Sequence, residues 1–285
     1  MRGPRSGVRS ADRRMDLSTR CAVAALCAVA VIAVAQSWLP YGRATEVGFG
    51  GRLASPSSGW ELLGTDQLGR AMLPQVLAGM GVTLEIAVPS AIAAAAVAAL
   101  VACLAATVGG PLDTVLCRIV DLLFTFPTVL LALLLVSIIG PGATGAVASI
   151  ALIVSPQVFR IVRARALEVA PREFVSAARV SGSSRPRLVL VHIVPNVSGT
   201  IIVQTTIAII VAMLVESSLS FLGLGVTPPT ASLGSLVHDG YPYLAAQPWL
   251  TFEPAAVLAL IIFSINILGD WVRDRLEVRQ VVELS

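Results

Sequence analysis

The sequence predicts an all-α integral membrane protein: six transmembrane helices with a cytoplasmic helix–turn–helix segment. Three observations lead there. Hydrophobic residues make up 56% of the 285 and charged residues only 13%, more apolar surface than a water-soluble domain of this size can cover. Uncharged runs recur near the length of about 20 residues that a helix needs to cross about 30 Å of hydrocarbon. All of the 20 Lys+Arg residues are arginine, and they gather on one side of those runs, the asymmetry that sets orientation.

The first run is Cys21 to Leu39, ending at Trp38, Pro40 and Tyr41, where interfacial aromatics belong. Its arginine-rich flank and Ala33-Val34-Ala35 also resemble a cleavable secretory signal. The run is long for that and five more crossings follow, so it is read as an uncleaved anchor. Residues 40–83 are polar and turn-rich, with Pro56-Ser57-Ser58-Gly59, then a short amphipathic stretch from Gly64 to Leu84. Ile86 to Val108 is the second crossing, closed by Gly109-Gly110-Pro111. The run from Leu122 to Phe159 is too long for one crossing, and Gly140-Pro141-Gly142 divides it into two. The fifth runs from about Pro195 to Glu216 and the sixth from about Pro254 to Leu268. Residues 217–253 are apolar but broken by glycine and proline, which reads as a loop or shallow re-entrant segment, since exposed irregular backbone is not tolerated in lipid.

With the N-terminus inside, only Arg43, Arg52 and Arg70 lie outside, and both termini are expected to be cytoplasmic. The four cysteines (Cys21, Cys27, Cys103, Cys117) show no CxxC spacing and read as small buried apolar residues. There is no GxxxxGK phosphate loop, so the chain is not itself an ATPase. With only His192 and His238, a histidine metal site or triad is not expected. No cofactor and no nucleic-acid partner are expected.

The segment from Arg160 to Pro195 stands apart as basic, punctuated and small-faced. Pro171 suits the first turn of a helix, and Glu173 faces the positive end of its dipole. Phe174, Ala177, Ala178 and Ser181 follow at i, i+3, i+4 and i+7, one face, with Arg172, Ser176 and Arg179 on the other. Gly182 sits where a terminating residue needs a left-handed backbone. Ser183 and Ser184 can cap a second helix whose first turn holds Pro186. A narrow flat face can approach another surface closely; the competing reading is an interfacial amphipathic helix lying on the membrane.

The remaining ionisable residues sit near helix ends. Glu216 either lines a pathway mouth or holds the loop containing Phe221 through backbone N–H groups. Glu85, Asp121 and the Asp270, Arg273, Asp274 cluster read as interfacial charges. Asp66 and Arg70 have helical i, i+4 spacing, worth about 0.3 to 0.5 kcal/mol as a surface pair, and are expected to shape the outer segment. Pro89 and Pro127 are candidate bends. The alanine-rich face of residues 91–106 suits close helix packing, and Tyr241, Tyr243 and Trp249 suit an aromatic belt.

From Ser176 to Pro195 the chain resembles the cytoplasmic signature of importer permeases of the ATP-binding cassette class, E-A-A, three residues, G, nine residues, I-x-L-P. Ala177, Ala178, Gly182, Pro195 and the spacing are kept, while Ser176, His192 and Val194 replace Glu, Ile and Leu. Gly64-Thr65-Asp66-Gln67-Leu68-Gly69-Arg70 and Ser220-Phe221-Leu222-Gly223-Leu224-Gly225-Val226, with Asn266-Ile267-Leu268-Gly269-Asp270, narrow it to the peptide and nickel permease family, resembling its C-type dipeptide or oligopeptide subunits. The resemblance covers residues 64–275. It divides the chain into a cytoplasmic tail (1–20), a first helix and outer segment (21–63), a permease core (64–275, with coupling segment 160–195) and a C-terminal tail (276–285).

The resemblance implies a permease of the bacterial inner membrane that carries di- or oligopeptides. Its implied partners are a second homologous permease, two cytoplasmic ATPases that bind the ATP, an extracytoplasmic solute-binding protein, and lipid. Phe174, Ser176, Ala177, Ala178, Gly182, His192 and Pro195 would form the ATPase-coupling site, and Asp66, Arg70 and Glu216 are outer structural candidates. The same class carrying nickel or another small solute is the alternative; an ion-coupled secondary transporter is the rival of a different class.

Overall fold

The computed structural model describes residue 24 and residues 51–282, with the side chains of residues 60 and 277–282 outside that description. The first expected crossing therefore lies, apart from Ala24, outside the described residues, as do both far tails. Within them the chain is helical, with one isolated bridge between Thr65 and Ala71 and no strand. The helices are α1 (Met72–Val108), α2 (Gly110–Phe124), α3 (Thr128–Ile139), α4 (Ala143–Val169), α5 (Glu173–Val180), α6 (Arg185–Phe221), α7 (Leu233–Gly240) and α8 (Trp249–Val282). Four of them, α1, α4, α6 and α8 as far as Leu276, are long and apolar enough to cross a membrane.

The expected third crossing is instead the pair α2 and α3, bent by 98°. Pro127 explains the break. Its ring disfavours helix at the residue before it, and it adopts an extended ψ of 130° as the cap of α3. The second crossing also begins earlier than expected, at Met72 rather than Ile86. Pro74 falls in the first turn, where no N–H is missed, and buried Gln75 and Thr83 are carried inside the fold. Polar residues that suggest a solvated stretch in sequence are here internal. Pro89 lies within α1.

The alanine face of α1 packs as expected. Ala91, Ala95, Ala102 and Ala105 are fully buried, at helical spacing, and α4 and α6 are the neighbours that cover them. Small side chains let backbones approach, which is how membrane helices gain packing energy. The α6–α8 contact uses the same device: a Cβ added at Gly269 would stand 2.6 Å from Thr206 Cγ2.

Residues 217–253 are more ordered than a loop. They contain α7, whose capping box pairs Ser232 with Ser235, and a short 3-10 turn at Tyr241–Tyr243. Gly234 lets α7 close on α6, since a Cβ there would lie 2.4 Å from the Ser217 carbonyl oxygen.

Candidate functional site

The segment between α4 and α6 is a small helix fastened to the end of the bundle. Arg172 caps α5 with an extended ψ of 150°, so Pro171 stands one residue before the cap and not in the first turn. Val175 is fully buried and is the anchor; Ala178 packs half-buried beside it. Phe174, Ser176, Ala177 and Ser181 are exposed, and Val180 is 89% exposed. The expected face of Phe174, Ala177, Ala178 and Ser181 is thus split. Ala178 turns toward the bundle with Val175, and the outward surface is Phe174, Ala177 and Ser181 with Val180.

The turn after α5 is a Schellman motif. Ser183 N–H donates to the Ala178 carbonyl at 3.1 Å, and Gly182 N–H to the Arg179 carbonyl at 3.1 Å. Gly182 holds φ at +82° with nothing within 4 Å of where a Cβ would be. Glycine is therefore required there by backbone conformation and not by crowding. Ser184 then caps α6 without a side-chain bond, short of the expected hydroxyl cap, and Leu188 N–H donates to its carbonyl at 2.9 Å.

Leu188–Ile193 is π-helical, directly before Pro195. A proline neither donates to the carbonyl four residues back nor tolerates it closely, and a locally widened turn relieves both. Asn196 Nδ2 donates to the His192 carbonyl at 2.7 Å; His192 is half-buried and Pro195 exposed. Leu188, Val189 and Ile193 are buried, and α5 packs on this stretch. The short helix α5 is thereby packed directly against the start of α6.

A second tie at the same end was not foreseen. Arg163 of α4 grips Asp113 in the first turn of α2 through both Nε and Nη2, each at 2.5 Å, and Arg160 lies over the Phe124 ring at 5.8 Å. Fifty residues separate the paired charges, so no local spacing announces them.

At the opposite end Asp66 and Arg70 do pair, at 2.6 Å, but in a tight loop and not on a helix. Asp66 is only 8% exposed. Its Oδ1 accepts from the N–H groups of Leu68 and Arg70, and its Oδ2 from Arg70 Nε and Gln75 Nε2. Gly64 and Gly69 supply positive φ, and a Cβ at Gly64 would meet the Ala54 carbonyl oxygen at 2.5 Å. Removing one partner of a buried pair costs about 3 to 5 kcal/mol. Asp66→Ala is accordingly expected to lower the melting temperature of the purified protein by many degrees, whereas Arg52→Ala, outside this network, leaves it unchanged.

Glu216 is 1% exposed. Its Oε1 accepts from Ser220 Oγ at 2.8 Å and its Oε2 from Ser217 Oγ at 3.3 Å, and the hydroxyls of Ser232 and Thr83 also face it. Its partners are hydroxyls and not the expected backbone N–H groups, and they draw on α1, α6 and the start of α7. Thr83 Oγ1 also accepts from Leu233 N–H at 3.2 Å. Tyr243 is tied inward, its hydroxyl donating to Gln67 Oε1 at 2.7 Å, and Trp249 Nε1 is buried. Tyr241, the third aromatic of the expected interfacial belt, is 60% exposed. Glu253, also unforeseen, has one carboxylate oxygen buried without a hydrogen-bond partner.

Residues 98–281 match the family described as "Binding-protein-dependent transport system inner membrane component". The chain is 34% identical over 267 residues to the nickel transport system permease protein NikC of Escherichia coli (strain K12), 93% of this chain and 96% of that one. It is 40% identical over 214 residues to the oligopeptide transport system permease protein OppC of the same strain, 75% of this chain and 71% of that one. A putative peptide transport system permease protein of Brucella suis is 35% identical over 267 residues, 93% and 89% of the two chains. In fold it is similar to a chain of the MetNI methionine ABC transporter in inward-facing conformations, with a TM-score of 0.58 and 19% identity over 72% of this chain and 97% of that one. With these matches, the membrane-spanning helices and the motifs in their order, the chain belongs to the binding-protein-dependent ABC importer permeases of the inner membrane, in the peptide and nickel group.

Proposed function

We propose that this permease passes di- or oligopeptides, delivered by an extracytoplasmic binding protein, through a pathway shared with a second homologous permease. Two cytoplasmic ATPases bind and hydrolyse the ATP; this chain is not catalytic and holds no cofactor. The observation that carries the reading is α5. A short helix fixed inward by Val175 offers Phe174, Ala177 and Val180 outward at the end of the bundle richest in arginine. Small and apolar groups of that kind fill a partner's cleft, and the arginine bias supports both termini and the Gly182 turn being cytoplasmic. Ser176, standing where the family signature has glutamate, contributes a hydroxyl to the same surface.

OppC and the Brucella relative support peptides as the cargo, while the match to NikC over nearly the whole chain supports nickel as a second reading. Uptake in cells lacking their own peptide and nickel importers separates the two. Expressed with a partner permease, ATPases and a binding protein of the same transport system, the protein is expected to drive accumulation of labelled di- or oligopeptide. Accumulation of nickel without peptide would replace the first reading by the second.

A further inference from the structure

Thr200, Gln204, Ile207, Val211, Leu214 and Ser218 recur every three or four residues and so share one face of α6. That face lines three cavities in succession. The first lies at the Gly182 end, has about 340 Å³, and is walled by Arg165 of α4, Thr200 and Gln204 of α6 and Arg273 of α8. The last, of about 210 Å³, lies at the other end between Thr128 and Ala132 of α3, Ile153 of α4 and Leu214 and Ser218 of α6. Between them the space narrows to about 10 Å³, where Val154 and Gln157 of α4 face Gln204 and Val211 of α6.

The three are continuous in their walls. Gln204 and Ile207 line both the first and the middle space, and Val211 both the middle and the last. From Gly199 to Leu222 the helix rises about 35 Å at 1.5 Å per residue, close to the roughly 30 Å of a hydrocarbon core. The face is therefore an hourglass groove as long as the membrane is thick.

Its chemistry decides what fills it. Gln204 is 7% exposed, and its Oε1 is buried without a hydrogen-bond partner. A bare carboxamide oxygen is disfavoured against lipid or a dry protein face, and intramembrane polar groups face water-filled cavities or the bundle interior. Gln157 stands at the same neck. A carboxamide offers donors and an acceptor, the complement of a peptide group. Arg165, which also pairs with Glu168, and Arg273 place guanidinium groups at the wide mouth, where a carboxylate would be matched.

We propose that this groove is the chain's half of the solute path and that Gln157 and Gln204 form its polar neck, shaped for an amide-bearing solute. The inference rests on the transport reading above.

Cysteine accessibility tests it. All four native cysteines are replaced by alanine in a chain that retains ATP-driven peptide uptake in vesicles with its transport partners. Val203→Cys, at a residue that also lines the first cavity, and Leu214→Cys are then introduced singly, with Ile202→Cys, on the opposite side of α6 and 46% exposed, as the control. With a membrane-impermeant thiosulfonate, Val203→Cys and Leu214→Cys are expected to react about tenfold or more faster than the control, because thiolate chemistry needs water. Val203→Cys should react from the Gly182 side and Leu214→Cys from the other. Gln204→Leu is expected to lower peptide uptake about tenfold or more, the loss typical of an unmatched polar contact, with Gln204→Asn recovering part of it. Groove cysteines as unreactive as the control in vesicles that still take up peptide, or Gln204→Leu at full rate, would overturn the path and leave the importer reading intact. Parent vesicles whose uptake ignores ATP would remove the importer reading and the path together.

Discussion

Gly182→Val is expected to leave the protein inserted at normal levels and to reduce uptake to background. Insertion depends on the apolar runs, and none of them is touched. There is empty space where the new side chain would go, so nothing is displaced from the bundle. The penalty lies in the backbone: an L-residue in the left-handed region costs about 1–2 kcal/mol, a factor of about 5–30 in population, and a β-branched side chain makes a true outlier there. The Schellman bonds from Gly182 and Ser183 to Arg179 and Ala178 open, and the helix above them loses its fixed exit. The order of uptake should be Gly182→Asn highest, then Gly182→Ala, then Gly182→Val, since asparagine tolerates this conformation best after glycine. Full-rate uptake by Gly182→Val would end the coupling account. Membrane levels of each variant by immunoblot keep folding separate from transport.

Ala177→Trp is expected to abolish co-purification of the ATPase while leaving the thermal stability of the permease alone nearly unchanged. Ala177 is exposed and touches no core, and surface substitutions of this kind stay within about 0.5 kcal/mol. Seated in a partner's cleft, the same side chain would hold the helix off its surface, where overpacking costs about 1–3 kcal/mol and more if the cleft is rigid. Ala178→Trp should differ. That residue is half-buried beside Val175, so the substitution strains the permease itself and lowers its melting temperature as well. The contrast between neighbouring alanines separates docking from folding.

The punctuation of the chain was legible in its sequence. Glycine and proline mark backbone conformations that few other residues accept, so the Gly182 turn and the Gly140-Pro141-Gly142 divide were both placed by residue type. The alanine stripe of α1 was legible because a strict spacing of small residues has few other uses. The facing of α5 was not. In eight residues, a stripe through Phe174 and Ala177 and a stripe through Val175 and Ala178 are equally regular, and only the surface beneath decides which is buried. The i, i+4 spacing of Asp66 and Arg70 misled in the same way, because a folded loop brings those positions together as readily as a helix. Gln75 and Thr83 concealed the start of α1, polar in sequence but satisfied inside the fold. The Asp113–Arg163 pair and the hydroxyl cluster around Glu216 join elements distant in sequence, which local periodicity cannot register.

The most direct measurement of whether motion enters through this turn is a photo-crosslinking residue in place of Val180, the most exposed apolar side chain of α5. Illuminated in intact cells expressing the transport genes together, it is expected to yield an adduct with the cytoplasmic ATPase, lost when Gly182→Val is added. An adduct with the extracytoplasmic binding protein, or with lipid alone while uptake proceeds, would contradict the account.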